Sequence, residues 1–247
     1  MSTDGILLLH AWPLDARMWA PQLEALPAGV PVVTPNHPGF GGSEPADGVT
    51  AMAVCAERAL AALDEAGVDR AVVCGLSIGG YVTFEIWRRA RERFLGMILA
   101  NTRAVADTPE AAHGRHVLAE RLRAEGNFLA EEPPALLAPD APEALRRRVR
   151  ALVAAQPAEA IAAAALGMAE RPDSTADLAG IDVPVLVITS TADQLIAPEV
   201  SAEMAAQIPG ARLETIEAVG HLSNLEAPEA FNRLLLEHAA ACGVPGA

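Results

Sequence analysis

The sequence predicts an α/β architecture: a mostly parallel sheet of about six strands flanked by helices, with an all-helical segment inserted after the fourth strand. Three observations carry this expectation. Short apolar runs alternate with helix-like stretches from end to end. Each run is nearly continuously hydrophobic, the pattern of strands buried on both faces of a sheet. One run, Arg70-Ala71-Val72-Val73-Cys74, leads through Gly75-Leu76-Ser77-Ile78-Gly79 into a helix-like stretch from Tyr81 to Arg93, a strand-turn-helix punctuated by a serine between glycines.

Taken in order, the strands are expected at 5–10, 30–34, 70–74, 95–101, 183–189 and 211–216. An Ala-rich amphipathic helix over 50–66, closed by Gly67, joins the second to the third. Between residues 104 and 180 the alternation stops. That stretch holds helical segments at 108–125, 141–155 and 157–169, separated by Pro133-Pro134, Pro139, Pro142 and Arg171-Pro172. It reads as a helical cap (104–180) inserted into a core domain made of 1–103 and 181–247. Arg146-Arg147-Arg148 fits a solvated helix face, with anion binding as the alternative. The last helix spans 228–242, and Gly243-Val244-Pro245-Gly246-Ala247 reads as a frayed tail.

With 51% hydrophobic residues in 247, the chain can bury one large core. No apolar run is long enough to span a bilayer, so no membrane partner is expected. Met1-Ser2-Thr3-Asp4 lacks the basic start of a secretory signal, which points to a cytoplasmic location. Cys55, Cys74 and Cys242 have no metal-ligand spacing and read as reduced thiols. A net charge of −14 disfavours nucleic acid as a partner. A small molecule is the expected partner, with monomer and homodimer both open.

In a parallel sheet, ligands sit beyond the carboxyl ends of the strands. Three such ends carry complementary chemistry. Ser77 follows the third strand, Asp193 lies in the loop after the fifth, and His221 in the loop after the sixth. A serine hydroxyl needs a base to become a nucleophile. An imidazole base needs an acceptor that fixes its tautomer and stabilises its cation. Activity should therefore rise with pH as His221 loses its proton.

These residues, in the order Ser, Asp, His, resemble the α/β-hydrolase superfamily. Leu9-His10-Ala11-Trp12-Pro13 resembles its H-G-x-P loop, Pro38-Gly39-Phe40-Gly41-Gly42-Ser43 its P-G-[FH]-G-x-S turn, and Gly220-His221 through Glu226, Pro228 and Glu229 its G-H-x-x-x-x-E-x-P-E segment. The closest likeness is to small carboxylesterases and 3-oxoadipate enol-lactonase-like enzymes. The resemblance implies Ser77 as nucleophile, His221 as general base and Asp193 as its acid. It implies an oxyanion hole from the backbone N–H groups of Trp12 and Ile78, ester or lactone hydrolysis through an acyl-enzyme, and no metal or organic cofactor. The position after the fourth strand, used for the acid by some members, holds Asn101. Serine at 77 excludes haloalkane dehalogenase and epoxide hydrolase chemistry, which needs aspartate there. Thioesterase, acyltransferase, carbon–carbon hydrolase and non-catalytic ligand binding stay open as alternatives.

Trp12 and Trp19 are candidates for the acyl pocket or for core packing, and Leu136, Leu137 and Met168 for the apolar underside of a mobile cap. His10 is expected to shape the first loop, His37 to cap a turn, and His113, His116 and His238 to lie on the surface. Three departures stand out: Ala11 in place of a glycine, Asn36 in place of an aspartate, and no room for the antiparallel hairpin that usually opens the fold.

Overall fold

A computed structural model describes residues 3–247. Its strands are β1 (Asp4–Leu9), β2 (Val32–Val33), β3 (Arg70–Leu76), β4 (Phe94–Ala100), β5 (Val185–Ser190) and β6 (Arg212–Ile216). The helices are α1 (Ala20–Ala25), α2 (Met52–Glu65), α3 (Ile78–Arg89), α4 (Pro109–Glu125), α5 (Glu143–Ala154), α6 (Ala158–Ala169), α7 (Thr175–Leu178), α8 (Pro198–Ala206), α9 (Ser223–Glu226) and α10 (Pro228–Ala241). The six strands form one sheet in the order β2-β1-β3-β4-β5-β6, every pair parallel. The chain leaves β1 toward β2 and returns across it to β3, so the winding reverses between β1 and β3. That reversal opens a crevice at their carboxyl ends, where the loops carrying Trp12 and Ser77 emerge.

The sheet core is the aliphatic content of the strands: Ile6, Leu7, Leu8 and Leu9 of β1 and Val72, Val73 and Cys74 of β3 are fully buried. Parallel strands need long crossovers, and right-handed crossovers place α1 and α10 on one face and α2 and α3 on the other. Helices α2 and α10 each close on a left-handed glycine. At Gly67 (φ 67°) the Val68 N–H bonds the Leu63 carbonyl at 2.9 Å, and at Gly243 (φ 83°) the Val244 N–H bonds the Ala239 carbonyl at 3.0 Å. The second closure corrects the expected frayed tail, because Val244 is buried against the core.

Several expectations need adjustment. Only two residues of the predicted 30–34 strand pair with β1, since Pro31 has no N–H to donate. The result is a very short edge strand, one of the ways sheets avoid open edges. All described strands are parallel, so no opening hairpin occurs among the described residues. His238 is buried beside Cys242, not exposed. Residues 104–180 hold α4 to α7 and no strand. Within that segment α6 is apolar all round and buried along most of its length, packing against α4. It is tied to the core: Ala163 accepts from the Thr50 N–H at 3.1 Å, and Ile161 from the Trp12 indole at 3.1 Å. Among the described residues no single helix is long and apolar enough to cross a membrane.

Candidate active site

Ser77 sits between β3 and α3 with φ 57° and ψ −116°, a conformation that L-residues rarely adopt. The surroundings enforce it. Its N–H donates to the Ala100 carbonyl at 3.0 Å, and its own carbonyl accepts from the Thr102 hydroxyl at 2.8 Å and the Gly80 N–H at 2.9 Å. The flanking glycines are required by contact: a Cβ on Gly75 would overlap the Gly79 carbonyl, and one on Gly79 would overlap the Leu9 carbonyl. Strand, turn and helix therefore close tightly around the serine and leave it partly exposed.

The loops after β5 and β6 are laced together. Thr191 and Ala192 donate to the Ile216 and Val219 carbonyls at 3.2 and 3.0 Å, and the Thr191 hydroxyl accepts from the Ala218 N–H at 2.9 Å. This lacing brings His221 Nδ1 to 2.8 Å from Asp193 Oδ2. The carboxylate is saturated with donors. Oδ1 accepts from the N–H groups of Leu195 (2.8 Å) and Ile196 (3.0 Å), and Oδ2 also from Asn101 Nδ2 (3.0 Å). Burial raises the Asp193 pKa, but His221 and these other donors outweigh it and hold the acid below its ordinary value. Because an ionised carboxylate only accepts, Nδ1 is the imidazole nitrogen that donates to Asp193.

Asn101 was noted in the sequence only for lacking a carboxylate. Here it is a hub, fully buried with φ 45°, donating to Ser190 Oγ (2.9 Å) and Asp193 while accepting from Ser223 Oγ at 2.6 Å. Glu226 was quoted only as part of a motif. It accepts from the Gly220 N–H (2.9 Å) and the Ala138 N–H (3.0 Å), tying the histidine loop to the inserted segment.

Ile78 opens α3, and the first N–H groups of a helix have no intrahelical acceptor. The Trp12 N–H makes no hydrogen bond among the described residues. Both N–H groups thus lack an internal acceptor. The loop bearing Trp12 is fixed by two imidazoles in tilted contact, His10 and His37, with ring centroids 4.0 Å apart and planes 43° from parallel. His10 Nε2 accepts from the His37 N–H at 2.9 Å, which leaves its Nδ1 as donor to the Ala11 carbonyl at 3.0 Å. Burial, partly offset by that bond, pulls His10 down to about 4, so the ring is neutral. Asn36 keeps the cap an aspartate would supply and adds a donor an aspartate lacks: its carbonyl accepts from the Ala16 N–H at 2.8 Å and its amide donates to the Gly41 carbonyl at 3.4 Å.

Ser77, His221, Trp12 and Met168 line one cavity of about 140 Å³. No hydrogen bond joins Ser77 Oγ to the imidazole among the described residues; such catalytic contacts often tighten only around substrate. Three expected pocket residues lie elsewhere. Leu136 and Leu137 line a separate cavity with Val149 and Arg150, because the Leu136 backbone is held to Leu222 (3.0 Å) while its side chain packs toward α5. Trp19 is fully buried against Phe231 of α10, ring centroids 6.0 Å apart, in the layer formed by α1 and α10. Among the described residues no group of three His, Cys, Asp or Glu side chains could hold a metal ion.

A family model described as the alpha/beta hydrolase family matches residues 6–234. The chain belongs to that family. This alpha/beta hydrolase is 32% identical to a pimeloyl-[acyl-carrier protein] methyl ester esterase of Aromatoleum aromaticum, over 93% of this chain and 95% of the other. It is 29% identical to 3-oxoadipate enol-lactonase 1 of Acinetobacter baylyi, over 93% of this chain and 86% of that one. Among solved structures, it resembles a malate-bound thermophilic esterase from Thermogutta terrifontis with 38% identity and a TM-score of 0.91, covering 98% of this chain and 92% of the other. These likenesses support a hydrolytic activity.

Proposed function

We propose that this hydrolase cleaves a carboxylic ester or lactone through an acyl-enzyme formed on Ser77. The observation that carries the reading is the 2.8 Å His221–Asp193 pair opening onto the same cavity as a strained, tightly packed Ser77. Ser77 Oγ attacks the carbonyl carbon while His221 Nε2 takes its proton. The oxyanion is held by the Trp12 and Ile78 N–H groups, whose positions are fixed before substrate arrives. Collapse expels the alcohol, which receives the proton from His221. Water, deprotonated by His221, then attacks the acyl carbon and releases the acid. Asp193 stays ionised throughout and stabilises the imidazolium.

Residues 104–180 act in this reading as a cap that shapes the cavity through Pro134 and Met168. At about 140 Å³ the cavity is smaller than the roughly 300–1,000 Å³ of drug-sized pockets, which favours compact acyl groups. Ser77→Ala should retain its fold and lose at least about three orders of magnitude in kcat, with loss of fluorophosphonate labelling at that position. Substantial hydrolysis by the folded variant would remove the covalent mechanism. Met168→Ala should move the preference toward longer acyl chains on an ester panel.

A further inference from the structure

The wall of the Ser77 cavity is cationic. Arg103 and Arg115 line it, and no acidic residue does among the described residues. Both arginines share one buried carboxylate: Arg103 Nη2 lies 2.7 Å from Asp107 Oδ1, and Arg115 Nε contacts Asp107 Oδ2. Arg171 Nη1 reaches the same Oδ1 at 2.8 Å while its guanidinium stacks on Tyr81, also of the cavity wall, 4.1 Å from the ring centroid. Three guanidinium groups thus meet one buried carboxylate, so the cluster keeps an excess of positive charge.

The donors are not used up either. Arg103 Nη1 and both terminal nitrogens of Arg115 make no hydrogen bond among the described residues. Arg103 Nε is buried without an acceptor. Asp107 and Arg171 are almost fully buried, whereas the side chains of Arg103 and Arg115 keep 26% and 20% of their surface open. Asp107 therefore works as an anchor that turns two planar forks toward the cavity. A second acid, Asp173, interacts with Arg171 but is exposed, bonded to the N–H groups of Ala106 and Thr175, and not part of the cavity wall. The chain as a whole carries −14, yet beyond about 10 Å salt screens that field, so the arginines dominate inside the cavity.

We propose that Arg103 and Arg115 bind a carboxylate carried by the substrate, so that the ester or lactone cleaved at Ser77 belongs to a compact dicarboxylic acid, such as a hemiester. Forked guanidinium groups match a carboxylate in shape as well as charge. This specificity rests on the hydrolase reading above, and the tests separate the two.

One measurement compares kcat/KM for monomethyl glutarate and for methyl pentanoate, which replaces the free carboxylate by a methyl group. The wild type should favour the hemiester. Arg115→Gln should lower that preference ratio at least tenfold, roughly the worth of one charge-assisted bond, and Arg115→Lys, which keeps the charge, should restore part of it. Arg171 remains to pair Asp107, and circular dichroism checks the fold of each variant. The second measurement is calorimetric binding of glutarate to Ser77→Ala, which needs no turnover. It should weaken in high salt and weaken at least about tenfold when Arg115→Gln is added. Failure of glutarate to bind Ser77→Ala, or equal preference ratios in wild type and Arg115→Gln, would overturn the proposal. A wild type that takes no fluorophosphonate label, with glutarate binding to Ser77→Ala intact, would sink the serine mechanism and leave the carboxylate site standing.

Discussion

Asp193 accepts from four groups, two backbone N–H, one amide and one imidazole, so its orientation is over-determined. Asp193→Asn keeps the size but presents an N–H₂ where acceptors are needed, and it favours the wrong tautomer of His221. It should lower kcat by about two to four orders of magnitude in steady-state assays; near wild-type turnover would place the acid elsewhere. Asn101 acts through Asp193 and is a positioning residue. Asn101→Ala removes one of the donors that depress the Asp193 pKa. kcat should drop about tenfold through loosened geometry while KM changes little. A purely structural asparagine would change stability and leave kcat in place.

The buried His10–His37 pair makes the loops after β1 and β2 sensitive to acid. Burial lowers His10 to about 4, and burial together with the neighbouring His10 pushes His37 well below the ordinary value. Both folded values lie below the unfolded value of about 6.5, so the unfolded chain binds more protons as pH falls. The stabilisation from neutral imidazoles is fully present above about pH 6.5 and is lost progressively toward pH 4, by up to about 1.4 kcal/mol per unit for each ring. Urea denaturation at pH 5 and pH 7 measures this, and equal stabilities would contradict it. On α6, a Cβ at Gly167 would overlap the Thr50 carbonyl. Gly167→Ala should cost about 1–3 kcal/mol in the same assay, even though alanine is the better helix former.

Viewed as one molecule, the chain folds its inserted segment into the core. The amides of α6 should exchange with solvent at the slow rate of β3 and β4, while those of the loop at 131–142 should exchange much sooner; hydrogen–deuterium exchange read by mass spectrometry distinguishes this from a cap that opens as a unit. The sequence made the sheet and the three loop ends legible because strands buried on both faces show as apolar runs, and because Ser77, Asp193 and His221 each follow one. It also held the signal that α6 is core, an apolar helix with no polar face, although Pro breaks suggested a mobile lid. The Arg103–Asp107–Arg115–Arg171 cluster was not legible, since it depends on how Arg171 returns over Tyr81 across a long stretch of chain. Nor was the role of Asn101, visible only as a missing carboxylate until β4 and β5 lie side by side. Trp19 shows the converse: a motif neighbour of the first loop, it turns to the opposite layer and packs on α10.

The backbone of Ser77 has a consequence for directed evolution. Holding a serine at φ 57° costs on the order of 1–3 kcal/mol, a penalty that glycine escapes. Ser77→Gly should therefore melt above the wild type while losing the proposed nucleophile. A campaign that ranks variants by heat resistance alone would enrich that change and its neighbours, so selection on this scaffold must be coupled to turnover at every round.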